Sequence, residues 1–139
     1  MPLLMVAACS IGNNMTWSAR NTGLTGTALN VNYIVQHPST RHLNSTSHEL
    51  LIATDDGIYH SIDGGRGWAK ITLPDPSNAE FADSPAATVD ELTFHWVDYD
   101  PTDSTIIYAL AEKLSVNRQW LYKTTDNLVS WISRGIVAA

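Results

Sequence analysis

Short apolar runs closed by turn-forming residues recur along this chain. Val31-Asn32-Tyr33-Ile34-Val35, Leu50-Leu51-Ile52-Ala53-Thr54, Leu92-Thr93-Phe94-His95-Trp96-Val97 and Thr105-Ile106-Ile107-Tyr108-Ala109-Leu110 are rich in β-branched and aromatic residues, which pack well on a pleated surface. Between them stand His37-Pro38-Ser39-Thr40, Asp55-Asp56-Gly57 and Asp100-Pro101-Thr102-Asp103, each with residues that favour tight turns. Ala111 to Gln119 has room for one helical turn, but a loop between strands suits it better, centred on Glu112 to Arg118. Leu73 to Glu91 contains Pro74, Pro76 and Pro85 among small and acidic residues, a composition that opposes a strand and predicts a crossover loop. The pattern predicts an all-β chain.

After each pair of apolar runs comes an eight-residue stretch with one order of residue types. Ser61-Ile62-Asp63-Gly64-Gly65-Arg66-Gly67-Trp68 is the fullest copy. Thr124-Thr125-Asp126-Asn127-Leu128-Val129-Ser130-Trp131 keeps the two hydroxyls, the Asp and the Trp, but has Leu128 in place of a glycine. Ser10-Ile11-Gly12-Asn13-Asn14-Met15-Thr16-Trp17 is weaker, with Gly12 in the Asp position. An Asp at the head of a tight turn accepts hydrogen bonds from backbone N–H groups just downstream. Glycines supply the positive φ that such a turn demands. The closing indole removes roughly 150–250 Å² from water. These features predict a staple for a β-hairpin, which is architecture and not an active site. The Asp positions 12, 63 and 126 lie 51 and 63 residues apart, longer than the roughly 40–50 residues of a propeller repeat, so loop insertions are expected.

The eight-residue stretch resembles the Asp box, Ser/Thr-x-Asp-x-Gly-x-Thr/Ser-Trp, of the BNR-repeat β-propellers. That resemblance implies a partial β-propeller: two complete four-stranded antiparallel blades plus a half blade. It divides the chain into a half blade and crossover (1–27), a blade (28–72), a crossover loop (73–90), a second blade (91–134) and a short apolar tail (135–139). The residues it assigns to the box are Ser61, Asp63, Gly65 and Trp68, then Thr124, Asp126, Ser130 and Trp131, with Thr16 and Trp17 in the degenerate copy. Leu3 to Ser10 would pair within the hairpin that this first copy closes. Propeller strands alternate direction, so the boxes share one face with the Pro38 and Pro101 turns. Ligands in this family sit on the opposite face, where the candidates are Asp55, Asp56, Glu112, Arg118 and the acids of the 75–91 loop.

Thr54-Asp55-Asp56-Gly57-Ile58-Tyr59 is similar to the Thr-Asp-x-Gly-Gly-x-Tyr segment that carries a catalytic Asp in propeller xyloglucanases. A glycosidase needs two carboxyl groups roughly 5–10 Å apart. Asp55 or Asp56 could be one and an acid of the 75–91 loop the other. In non-catalytic repeats the same segment is a plain turn, and that assignment is favoured. No sialidase-type arginine triad can be drawn from the scattered Arg20, Arg41, Arg66, Arg118 and Arg134. The expectation is therefore a binding or scaffold module for a protein or glycan, extracellular or on a cell or virion surface. The alternative is a fragment of a glycoside hydrolase. Missing blades would come from further chain, identical copies or another protein.

Composition removes other classes. The 139 residues carry 8 Lys and Arg against 14 Asp and Glu, for a net charge of −6. With so few, scattered cations, no nucleic-acid surface is expected. No apolar run approaches the roughly 20 residues that span a bilayer. Three loop histidines, His37, His42 and His48, have irregular spacing without partnering Cys or paired carboxylates, so neither a metal nor a cofactor is expected. Val6-Ala7-Ala8-Cys9 looks like a lipobox, but the leader lacks a basic segment, which disfavours acylation at Cys9. The sequons at Asn14 and Asn44 are frequent by chance.

Overall fold

A computed structural model describes residues 5–7, 17–41, 47–76 and 88–136. Cys9, Thr16, both sequons, His42, Glu80, Asp83 and Pro85 lie outside the described residues. The described chain is all-β, with short 3-10 turns and no α-helix. Strands β1 (Met5–Ala7) and β2 (Trp17–Ala19) pair antiparallel, with Ala7 opposite Trp17. The first four-stranded sheet follows as β3 (Val31–Gln36), β4 (Leu50–Thr54), β5 (Ile58–Ser61) and β6 (Ala69–Lys70), in sequence order and antiparallel throughout. The second repeats that order with β7 (Thr93–Tyr99), β8 (Ile107–Lys113), β9 (Arg118–Thr124) and β10 (Ile132–Ile136). Among the described residues neither sheet closes on itself or on the other.

Strand β8 runs to Lys113 and β9 begins at Arg118. The expected loop from Ala111 to Gln119 is thus only a 3-10 turn over Leu114–Val116, and Glu112 belongs to a strand. Asn117 makes the tight reversal possible by entering the left-handed region at φ 50, where Asn is tolerated better than most residues. Strand β10 likewise extends through Gly135 and Ile136.

Alternate side chains along a strand point to opposite faces, and here both faces of the first sheet are covered. Val35, Leu51, Ala53 and Ile58 join Phe94, Val97, Tyr99, Ile107, Ala109, Ala111, Trp120 and Tyr122 of the second sheet in one buried cluster. On the other face Ile52, Tyr59 and Trp68 pack with Leu24 and Ala28. The segment 20–24 is strapped across that face. Trp68 donates its backbone N–H to the Thr22 carbonyl at 2.9 Å and its indole N–H to the Arg20 carbonyl at 2.9 Å. Gly23 (φ +92) passes so close that a Cβ there would overlap the Trp68 carbonyl oxygen.

Candidate functional site

Two box-like turns close the hairpins β5–β6 and β9–β10 by one hydrogen-bond scheme. In the first, the buried Ser61 hydroxyl donates to Asp63 Oδ1 at 2.9 Å and accepts from the Gly65 N–H at 2.8 Å. Asp63 Oδ1 accepts from the Gly67 N–H at 3.0 Å. In the second, the buried Thr124 hydroxyl donates to Asp126 Oδ1 at 2.7 Å, and the Ser130 N–H donates to the same oxygen at 2.9 Å. The Ser130 hydroxyl donates to Asp126 Oδ2. Each turn also ties down the loop before the second strand: Gly64 N–H donates to the His48 carbonyl and Asn127 N–H to that of Thr105. Trp68 and Trp131 are 7% and 8% exposed, so both indoles are buried. The side chain of Trp17 is outside this description.

Leu128, the residue that departs from the glycine pattern, has φ 72, and Asn127 has φ 55. Their counterparts Gly65 and Gly64 have φ 82 and 71. The second turn therefore keeps the left-handed backbone at a cost of about 1–2 kcal/mol per non-glycine residue, offset in part by packing of Leu128 on the main core.

These corners hold their acids ionised. The Ser130 hydroxyl and N–H, then the Thr124 hydroxyl, lower the Asp126 carboxyl to about 2. The Gly67 N–H and the Ser61 hydroxyl lower that of Asp63. A depressed folded value means that the contribution is complete above the ordinary Asp value near 3.9 and is lost as pH falls through about 2. Acid unfolding should therefore steepen between about pH 4 and pH 2. In Asp126→Asn that part of the pH dependence of Tm should flatten, while the Tm at pH 7 falls; an unchanged acid limb would contradict this role.

The opposite end of the sheets carries the candidate rim. Both first strands are bulged at one place: the register shifts between Val31 and Tyr33 and between Phe94 and Trp96. A bulge re-aims a side chain, here Asn32 in one sheet and His95 in the other. Each meets an acid at the end of the neighbouring strand, Asp55 just past β4 and Glu112 within β8. Asn32 Nδ2 donates to Asp55 Oδ1 at 2.9 Å, and His95 Nε2 lies 2.8 Å from Glu112 Oε2. The pairings Val31 with Thr54 and Phe94 with Ala111 make Asp55 and Glu112 equivalent positions of the two sheets. Asn32 Nδ2 also donates to the Phe94 carbonyl at 2.9 Å, joining the sheets. Beside this bond the rings of Tyr33 and Trp96 meet edge to face at 6.4 Å, and Tyr33 is 38% exposed.

The remaining candidates separate from this rim. Asp55 is held further by the Asn30 amide at 3.0 Å. Asp56 turns the other way, accepts from the Tyr59 hydroxyl, and pairs with Lys70 at 3.0 Å. Burial pushes the Asp56 carboxyl up, but the bonds from Tyr59 and Lys70 and the Lys70 charge outweigh it and keep the group ionised. Burial, then Asp56, raise the Tyr59 hydroxyl far above its ordinary value, so it remains a donor. Of the 75–91 acids, Asp90 comes within 3.8 Å of Lys70, Glu91 pairs with Lys113 at 3.1 Å, and Asp75 accepts from the Val89 N–H at 2.7 Å. Arg118 opens β9 opposite Lys113. His37 caps the 3-10 turn at Pro38–Thr40 and packs edge-on against Tyr99 at 4.8 Å, while His48 contacts Gln36 and the Thr40 carbonyl. Among the described residues no three His, Cys, Asp or Glu are grouped to hold a metal, and no helix is long and apolar enough to cross a membrane.

Asn32, Tyr33, His95, Trp96 and Lys70 were not among the sequence candidates. One signal was present: a polar residue followed by an aromatic, Asn32-Tyr33 and His95-Trp96, at one place in two apolar runs.

No protein-family model matches the chain, and no curated protein matches it either. Among solved structures the chain is similar to the GH74 xyloglucanase from Xanthomonas campestris, at 15% identity and a TM-score of 0.36. The likeness covers 88% of this chain and 26% of that one, so the chain spans about a quarter of the enzyme's length. A likeness at that TM-score decides neither the architecture nor the activity of this chain.

Proposed function

We propose that this chain is a non-catalytic binding and scaffold module, a segment of an Asp-box β-propeller that works outside the cell or within a larger assembly. The two sheets are read as neighbouring blades over 28–72 and 91–134. Residues 1–27 are read as a half blade with its crossover and 73–90 as the loop between blades, while Gly135 and Ile136 count with the second blade as the end of β10. The observation that carries this is the repeated acid and bulge: Asp55 with Asn32 and Glu112 with His95, in equivalent places beside Tyr33 and Trp96. Such a rim presents fixed acceptors next to aromatic edges, chemistry that suits a glycan or a protein loop. The far face of the second sheet alternates Trp96, Tyr108, Leu110, Leu121 and Ile132 with Asp98, Lys123 and Arg134. Further blades, from more chain, identical copies or another protein, are the partners proposed for it.

The acids are spent on holding structure. Both oxygens of Asp55 accept from asparagine amides, and Asp56 is kept ionised, whereas glycoside hydrolysis needs one carboxyl kept protonated as the acid. The hydrolase alternative rests on Asp56 and Asp90, which flank one ammonium group. A glycan array probed with the chain and with Glu112→Gln separates the two. The expected result is a saturable hit that Glu112→Gln weakens about tenfold, equivalent to about 1.4 kcal/mol, with no sugar released from that glycan. Sugar release abolished by Asp56→Ala would replace the module by the hydrolase. Hits untouched by both Glu112→Gln and Asp55→Ala would remove the rim.

A further inference from the structure

Beside the Asp55-Asp56-Gly57 turn lies a cavity of about 240 Å³ that neither the corners nor the rim uses. Its apolar lining comes from Ile71 and Leu73, just past β6, and from Val89 in the 3-10 turn before β7. At the mouth stand Lys70 and Asp90, 3.8 Å apart. Lys70 is anchored on its other side by Asp56 at 3.0 Å, which takes one of three ammonium donors. Gly57 makes room for that arrangement: a Cβ there would come within 2.9 Å of Lys70 Cε. The Asp90 side chain is 81% exposed and its pairing with Lys70 is long, so its oxygens can take a second donor. The mouth thus offers a cation and an anion side by side above an apolar floor.

The ligand that complements all three features carries a carboxylate and an ammonium on one carbon, with an apolar side group. We propose that this cavity binds a free apolar α-amino acid, its carboxylate on Lys70, its ammonium on Asp90 and its side chain over Ile71, Leu73 and Val89. A lone amine would leave Lys70 unmatched and a lone carboxylate would crowd Asp90, so the zwitterion gains over both. This site is independent of the glycan or protein rim and goes beyond that reading.

Three probes test it on the full 139-residue chain by amide chemical shifts: L-phenylalanine, 2-phenylethylamine and 3-phenylpropanoate. Phenylalanine should give saturable shifts centred on Gly57, Ile71, Leu73 and Val89, with at least tenfold weaker binding of either analogue. In Lys70→Met, phenylalanine should bind no better than phenylethylamine. In Asp90→Asn, it should bind no better than phenylpropanoate. The unaffected spectrum of the second sheet reports that each variant is folded. No saturable shift with phenylalanine, or an analogue that binds as tightly, overturns the proposal.

Discussion

Truncating Trp68 to alanine should lower stability by about 3–5 kcal/mol, the range for deleting a buried aromatic ring. That is a large part of the roughly 5–15 kcal/mol by which a domain is stable, so denaturant or thermal unfolding should show a chain near its limit. Two effects combine. The indole is 7% exposed and packs with Leu24, Ala28, Ile52 and Tyr59. Its N–H also fastens the Arg20 carbonyl, 48 positions away in sequence. Trp68→Phe should keep most of the packing and lose that bond, for about 1 kcal/mol plus the smaller ring's share. Hydrogen exchange should then show loosened amides in 20–24 in both variants. A Trp68→Ala chain as stable as the parent would mean that this ring is not the staple of its hairpin.

The second large effect is expected at Tyr122, the largest fully buried side chain among the described residues. It packs against Phe94 at 5.6 Å between ring centroids and donates its hydroxyl to the Pro74 carbonyl at 3.0 Å. Tyr122→Ala should cost about 3–5 kcal/mol by the same cavity argument, and it strikes the cluster in which the two sheets meet. Tyr122→Phe removes the hydroxyl alone and should cost about 1 kcal/mol, read as a small drop in Tm and faster exchange near Pro74. Equal losses in the two variants would show that the hydrogen bond, and not the ring, holds this place.

Most strands and turns were legible in the sequence because each rests on local chemistry, whereas their order in four-stranded sheets came only from the resemblance to Asp-box repeats. Apolar runs such as Leu50 to Thr54 must be strands to bury themselves, and Asp63, Gly64 and Gly65 can hardly be anything but a turn. The strap from Arg20 to Leu24 was not legible, since Gly23 reveals its purpose only against the Trp68 carbonyl. Nor were the bulges, because a polar residue before an aromatic, as in Asn32-Tyr33 and His95-Trp96, does not by itself mark an extra residue in a strand. The rim was therefore half seen. Asp55 and Glu112 stood out as acids near turns, but their common place in the two sheets depends on a register that the sequence does not display. Asp56 likewise looked like the neighbour of Asp55, yet it faces Tyr59 and Lys70. Leu128 stands where the pattern has a glycine, and the backbone there keeps the left-handed form all the same.

The account depends above all on the two sheets being copies of one unit, set side by side so that their bulged strands meet. Proton–proton proximity measured by NOE spectroscopy tests this directly. Cross-peaks are expected between the rings of Tyr33 and Trp96, and between the Asn32 side-chain amide and the backbone protons of Phe94 and His95. If both sets are absent while the contacts within each sheet remain, the sheets do not share a seam, and the rim proposed at it does not exist.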